Sequence, residues 1–292
     1  MSYLPLSSQN QLSSKLSKKG EQAIPSDAIE LKILDSMDRV KLSRHVKRPK
    51  GLDVIKAITS SFQELHGDRT FGDDPAVICG VGELGDERCI FIAQQKGIDS
   101  KEQAERNFGM MAPEGYRKAL RVMKLAERFD LPVITIIDTP GAFPGLDAEK
   151  RGQARSIADN LYEMSSLKTP IISLILGEGC SGGALGIGIA DKIIMLEHAY
   201  YSVISPEGCA SILLKDARKS AQIVQYLKIH AEDLFDFKMI DAIINEGDGG
   251  FHDNAAAVFY SIKNEIIHQL QTLKQLSILH LLEHRAKKYR SI

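Results

Sequence analysis

Six glycines fall within the twelve residues from Gly177 to Gly188, in the order Gly-Glu-Gly-Cys-Ser-Gly-Gly-Ala-Leu-Gly-Ile-Gly. Glycine costs chain entropy on folding, so such a density belongs where backbone approaches something closely or turns sharply. The run follows the apolar segment Pro170 to Leu176 and leads into an Ala/Leu/Gly-rich stretch, a strand–loop–helix order. Bare amides at a helix start can hold an anion or a developing oxyanion.

Three chemistries fit this run. Gly177-Glu178-Gly179-Cys180-Ser181-Gly182 is a G-x-G-x-x-G with Glu197 twenty residues on, close to the dinucleotide fingerprint. The short following helix, with Gly186 and Gly188 inside it, argues against that reading. Gly179-Cys180-Ser181-Gly182-Gly183 also fits G-x-S-x-G, with Ser181 as a hydrolytic nucleophile. His198, His230 and His252 lie downstream, but no local context marks any of them as its base. In the third reading the amides of Gly182 and Gly183 alone stabilise a carbonyl oxygen that gains charge, with no side-chain nucleophile. The residues by themselves leave the second and third readings close. No Gly-Lys-Ser/Thr follows, so the run is not a phosphate-binding P-loop.

The elements that would position this run repeat one plan. Strands are expected at Ala76–Leu84 and Cys89–Gln94, joined at Gly85-Asp86, and then at Val133–Ile137, Ile171–Leu176, Lys192–Leu196 and Ala242–Ile244. Helices are expected at Pro113–Phe129, Gly152–Ser166 and Ala184–Ala190, with Ser205 and Pro206 opening another. Units of strand, glycine-bearing loop and helix recur at roughly forty residues, which implies parallel strands with helices outside. Ligands then gather at the strand carboxyl ends. Upstream, Ser26 is expected to cap a helix presenting Ile29, Ile33, Met37 and Val40 on one face. A second helix carries Leu52, Ile55, Ile58, Phe62 and Leu65. Residues 1–25 read as a mobile polar tail and residues 26–292 as one domain. The stretch from Asn254 to Ile292 reads as a long helix with a basic end.

Among 292 residues, 43% are hydrophobic and 26% charged, and the net charge is −1. That balance gives no global attraction to nucleic acid or membrane. No apolar run approaches the ~20 residues that cross a bilayer. Cys79, Cys89, Cys180 and Cys209 are scattered without a C-x-x-C pair, so neither a metal site nor a disulfide framework is expected, and a reducing cytoplasm is the expected setting.

Four long runs narrow the choice. They are Arg106 to Arg121 (RNFGMMAPEGYRKALR), Ile137 to Gly145 (IDTPGAFPG), Gly177 to Leu185 (GEGCSGGAL) and Tyr201 to Leu213 (YSVISPEGCASIL). In order and spacing, from about Arg44 to about Gly250, the chain resembles the carboxyltransferase alpha subunits of bacterial acetyl-CoA carboxylase. Cys180 stands where that pattern has glycine. The resemblance implies an α/β fold, a crotonase-like β-β-α superhelix with N- and C-terminal helices. It implies carboxyl transfer from carboxybiotin to acetyl-CoA, giving malonyl-CoA for fatty-acid biosynthesis. The biotin is carried by a separate biotin carboxyl carrier protein and loaded by biotin carboxylase, with no cofactor covalently bound to this chain. A zinc-bearing beta subunit would complete an alpha2beta2 carboxyltransferase. The amides of Gly182 and Gly183 would face the ureido oxygen, and Gly141, Phe143, Gly145 and Gly179 would shape the biotin pocket. Arg106 and Arg117, with Arg44, Lys47 and Arg48, would contact the phosphates of CoA.

Overall fold

The computed structural model describes residues 34–290. The expected tail at 1–25 and the Ser26 cap, with Ile29 and Ile33, lie outside the described residues. Eight strands form one sheet: β1 Phe62–Glu64, β2 Val77–Leu84, β3 Glu87–Gln94, β4 Val133–Thr139, β5 Ile171–Cys180, β6 Lys192–Leu196, β7 Tyr200–Ser202 and β8 Ala242–Ile244. The order is β1-β2-β3-β4-β5-β6-β8, with β7 beside the far end of β5. β1, β2 and β3 pair antiparallel, and every later pairing is parallel. The β2–β3 connection is a two-residue hairpin in which Leu84 faces Glu87, with Gly85 at φ +63°.

β4 and β5 are buried along their whole length. Helices cover both faces of such a sheet, and its central strands therefore read as continuous apolar runs rather than alternating ones. Helix Pro113–Arg128 presents Tyr116, Ala119, Val122, Met123 and Ala126 to the core at helical spacing, and proline occupies its first turn. Helix Gln153–Ser166 packs beside it. β5 is long enough to serve two neighbours. Ile172–Ile175 pair with β6, and Glu178–Cys180 pair with β7. The carboxyl end of β5 is thereby held by β4 on one side and β7 on the other.

Several elements differ from their sequence expectation. The first described helix is Ser36–Ser43, and Asp35 caps it by accepting the Asp38 N–H at 2.7 Å. The second ends at Ile58, where Thr59 turns extended, so Phe62 lies on β1 instead. The helix expected at Ala184–Ala190 starts earlier and stops sooner, at Ser181–Leu185, because Gly186 and Gly188 break it. β7, Tyr200–Ser202, is a three-residue strand with no counterpart among the expected strands. The C-terminal stretch is two helices, Ala255–Leu273 and Ile278–Arg290. Among the described residues no helix is long and apolar enough to cross a membrane.

Arg285, in the basic end, is a buried anchor rather than a surface charge, with 1% exposure. Its Nε and Nη2 donate to Asp191 at 2.8 and 2.7 Å, and its nitrogens also reach the carbonyls of Met164, Leu167 and Thr169, each at 2.8 Å. Asp191 in turn accepts the Ile171 N–H at the start of β5. Arg285→Met is therefore expected to lower stability by about 3–5 kcal/mol, because it strands a buried carboxylate and three carbonyls. Urea unfolding of the two proteins checks this.

Candidate active site

Charged and amide side chains cluster where β3, β4 and β5 end. Glu178 accepts from Arg44 Nε at 2.7 Å, from Lys96 Nζ at 2.5 Å and from the Tyr200 hydroxyl at 2.7 Å. Lys96 also donates to Asp138 at 2.8 Å, and Asp138 accepts the Glu178 N–H at 3.0 Å. Arg44 reaches Glu207 at 2.7 Å, which draws in the helix Pro206–Leu214, capped by Ser205. Burial by itself would raise the Glu178 carboxyl, but Lys96 and Arg44, with hydrogen bonds from Lys96 and Tyr200, hold it at about 2. Burial would depress Lys96, yet the two carboxylates outweigh it and its ammonium is held above the ordinary lysine range. Each charge in the cluster is compensated by a neighbour, the condition under which buried ions persist.

Upon this cluster sits the glycine run. β5 ends at Cys180, Ser181 takes a φ of +57°, and helix Ser181–Leu185 begins. A left-handed conformation at a non-glycine residue costs about 1–3 kcal/mol and survives only where its surroundings dictate it. Gly183 packs directly on the Gly141–Ala142 peptide. A Cβ there would lie 2.2 Å from the Gly141 carbonyl carbon and 2.5 Å from the Ala142 nitrogen. The Gly183 carbonyl accepts from Gln94 Nε2 at 2.8 Å and from the Tyr116 hydroxyl at 3.3 Å. Gln94 Oε1 also accepts the Asp138 N–H at 3.1 Å, so one buried amide joins the two loops. The N–H groups of Gly182 and Gly183 fall in the first turn of the short helix, where no intrahelical acceptor exists.

A cleft of about 490 Å³ opens over this run, lined by Gly141, Phe143, Gln153, Ile157, Gly182 and Val203 among others. Gly182, Gly141 and Phe143 thus meet in one place, with Gly183 packed behind them. Gly145 and Gly179 serve packing: a Cβ would come within 2.5 Å of the Phe143 ring at the first and 2.8 Å of the Tyr201 ring at the second. Across Ser181 and Val203 lies an apolar pocket of about 310 Å³, walled by Leu185, Tyr201, Leu227, Phe237 and Met239.

Four of the five basic residues expected to contact phosphates are engaged within the chain. Arg117 donates to Asp68 at 2.8 Å and to the Arg151 carbonyl, and Arg106 donates to Glu102 and to the Pro75 carbonyl at 2.7 Å each. Neither lines the cleft. Arg48 is fully buried against Glu246 and the Leu176 carbonyl, and Arg44 belongs to the Glu178 cluster. Lys47 remains exposed. Lys96, Gln94, Tyr200 and Gln153 escaped the sequence reading. A lysine and a glutamine closing the apolar strand β3 were the available signal for two of them.

Ser181 is exposed at the head of a strand–turn–helix, the backbone geometry of a nucleophile elbow. Among the described residues, however, no histidine is hydrogen-bonded to it. His198 Nε2 pairs with the Gly247 carbonyl, and His252 stacks on His45 at 3.7 Å. Cys180 is 1% exposed, and burial pushes its thiol up to about 11, away from the thiolate form a nucleophile needs.

Residues 6–292 match the protein family described as acetyl co-enzyme A carboxylase carboxyltransferase-like. The chain is 52% identical over 259 residues to the acetyl-coenzyme A carboxylase carboxyl transferase subunit alpha of Chlamydia caviae, covering 89% of this chain and 80% of the relative. It is 50% identical over 269 residues to the subunit of that name from Chlamydia muridarum, covering 91% and 83%. Among solved structures, a chain of a Pseudomonas malonate decarboxylase hetero-tetramer in complex with coenzyme A matches with a TM-score of 0.62 at 16% identity, over 82% of this chain and 95% of that one. A transcarboxylase 12S structure matches with a TM-score of 0.58 at 18% identity, over 76% and 44%. These structures establish the shared crotonase-like α/β fold.

The Glu178 cluster carries a pH signature. An unfolded glutamate titrates near 4.5 and the folded one at about 2, so its stabilisation is fully present above 4.5 and is lost as pH falls toward 2. The stability gap between the parent chain and Glu178→Gln is expected to narrow steadily as pH is lowered from 5 to 3. Urea unfolding at stepped pH measures it, and a gap that stays constant would contradict the assignment.

Proposed function

The chain belongs to the acetyl-CoA carboxylase carboxyltransferase alpha-subunit family, and from that premise we propose how its residues serve the transfer that makes malonyl-CoA. The reaction is the carboxyltransferase half of acetyl-CoA carboxylase, which commits acetyl units to fatty-acid synthesis. In our reading the chain receives carboxybiotin from a separate carrier protein and works against a beta subunit that holds acetyl-CoA, as an alpha2beta2 unit. Biotin carboxylase would load the carrier. Four cysteines standing as thiols suit a cytoplasmic setting.

The observation that carries this reading is the seat of Gly183. Its Cα lies against the Gly141–Ala142 peptide so closely that any side chain is excluded, and Gly182 lines the cleft beside it. That cradle, with the flat apolar walls of Phe143 and Ile157, suits a cyclic urea. When bound, carboxybiotin supplies the activated carboxyl group. The chain's own task is electrostatic. The N–H groups of Gly182 and Gly183 would donate to the ureido oxygen and stabilise the negative charge that would grow there as the carboxyl group departs. Donors of this kind are worth about 2.7–4 kcal/mol each when fixed before the reaction starts. Gln94 and Tyr116 hold the Gly183 carbonyl, and Glu178 locks the strand end beneath, so little reorganisation remains for the reaction itself. Side-chain acid–base chemistry is not required of this chain in this reading. Coenzyme A contacts are better sought at Lys47 than at Arg106 or Arg117, whose guanidinium groups are already engaged.

One feature keeps a second reading open to experiment: the left-handed φ of Ser181 suits a hydrolytic serine on the same fold. The two readings part on a simple pair of variants, assayed as malonyl-CoA formation with a beta chain and carboxybiotin present. Ser181→Ala is expected to keep most of the rate, since only backbone is used. Gly183→Ala keeps the N–H, but its methyl group would meet the Gly141–Ala142 peptide at 2.2–2.5 Å and push the amide out of place, so kcat is expected to fall by about 10²–10³, as when an oxyanion donor is lost. A dead Ser181→Ala enzyme, together with covalent capture of a fluorophosphonate, would establish the hydrolase instead. In the absence of a beta chain, malonyl-CoA formation is expected to be undetectable, and full activity from this chain alone would overturn the two-subunit reading.

A further inference from the structure

Gln153 opens the helix Gln153–Ser166 directly after Gly152, which turns the chain at φ +84°. It is 4% exposed and stands in the wall of the cleft. Both hydrogens of its side-chain amide are committed. Nε2 donates to the Met111 carbonyl at 2.8 Å and to the Phe143 carbonyl at 3.0 Å. Two carbonyl acceptors on one end of the amide fix which end is nitrogen. The other end, Oε1, is buried and has no hydrogen-bond partner. One helical turn on, at i+4 and so on the same face, Ile157 meets Gly182 at 3.7 Å from where a Cβ would stand. Gln153 therefore lies between the Phe143 turn and the glycine run.

A buried carbonyl oxygen without a donor is uncommon, because folding normally supplies one. In the wall of a binding cleft it is an acceptor open to a donor that arrives with a ligand. A cyclic urea is built to match: its carbonyl oxygen accepts, and each flanking nitrogen carries an N–H. Once one nitrogen bears a carboxyl group, a single N–H remains. With the ureido oxygen on the amides of Gly182 and Gly183, that N–H needs an acceptor at the side of the ring. We infer that Gln153 Oε1 accepts the hydrogen bond from the ureido N–H opposite the carboxylated nitrogen. This deepens the biotin reading above and rests on it. Oε1 is shielded from solvent in this conformation, and the entering ring uncovers it, as hydrogen bonds at reactive sites commonly close only in the complex. The consequence is orientation. An acceptor placed at this side favours the ring with its N–H toward Gln153 and the reacting nitrogen turned toward the partner substrate.

The test uses this chain assembled with a beta carboxyltransferase chain, and reads binding rather than turnover. Biotin and biotin methylated at N3, the ureido nitrogen that is not carboxylated, are titrated into the parent complex and into Gln153→Leu. Leucine keeps bulk and removes the acceptor. It also removes the two donors to Met111 and Phe143, so some loss for both ligands is expected. The signature is the difference: biotin should lose roughly tenfold more affinity than the N3-methyl compound, the worth of about one hydrogen bond. Equal losses, or no loss, would overturn the assignment of Gln153 while leaving biotin at the site. Gln153→Glu guards against misfolding of the leucine variant. It retains an acceptor and should still prefer biotin over the N3-methyl compound, and disappearance of that preference would also overturn the inference. A parent complex that binds neither compound would contradict the biotin reading and this inference with it.

Discussion

The Glu178 carboxylate, held from three sides by Lys96, Arg44 and Tyr200, is the interaction on which the rest of the site depends. It lies at the end of β5, just before the backbone turns into the glycine run. A buried carboxylate in that position would be strongly unfavourable alone. Compensated by two cations, it ties the ends of β3, β4, β5 and β7 to helices at both its flanks. Lys96 is shared with Asp138 and Arg44 with Glu207, so the contacts form one connected network rather than separate pairs.

What the cluster secures is a geometry that side chains could not provide. Gly183 touches the Gly141–Ala142 peptide, and Gln94 bridges the Asp138 amide and the Gly183 carbonyl. Two loops from neighbouring strands are thus locked together through backbone. A donor set made of amides is rigid, carries no titratable group, and costs no side-chain entropy when it binds. Such a site acts by preorganisation. It needs a reaction partner that brings its own reactive group, which is the division of labour expected when the carboxyl group arrives on a tethered carrier and the acyl group on another subunit.

The strand–loop–helix plan was legible because β4, β5 and β6 are apolar runs of strand length, and because glycine, proline and serine punctuate them. Bounds moved where local signals conflicted with tertiary ones. Gly186 and Gly188 ended the helix that followed the glycine run, and Phe62, at helical spacing from Ile58, was drawn into β1 by pairing with Gly82. β7 carries only three residues and is specified by its partner on β5 instead of its own pattern. In the site, Gly182 and Gly183 were singled out by type and spacing, and Gly141 and Phe143 entered only through the resemblance of their run. Lys96, Gln94 and Gln153 were not, since their roles arise from contacts 42 to 89 residues away along the chain. Arg106 and Arg117 show the converse. Basic residues near a motif suggested a ligand, while the fold had already matched them to Glu102 and Asp68.

The central claim is that the amides of Gly182 and Gly183 polarise the ureido oxygen of biotin. Infrared difference spectroscopy on the complex of this chain with a beta subunit, using biotin labelled with carbon-13 at the ureido carbon, reads that polarisation directly. The account predicts a ureido carbonyl stretch at lower frequency in the bound state than in water, since two fixed donors outdo a fluctuating hydration shell. A stretch at or above its frequency in water would contradict it.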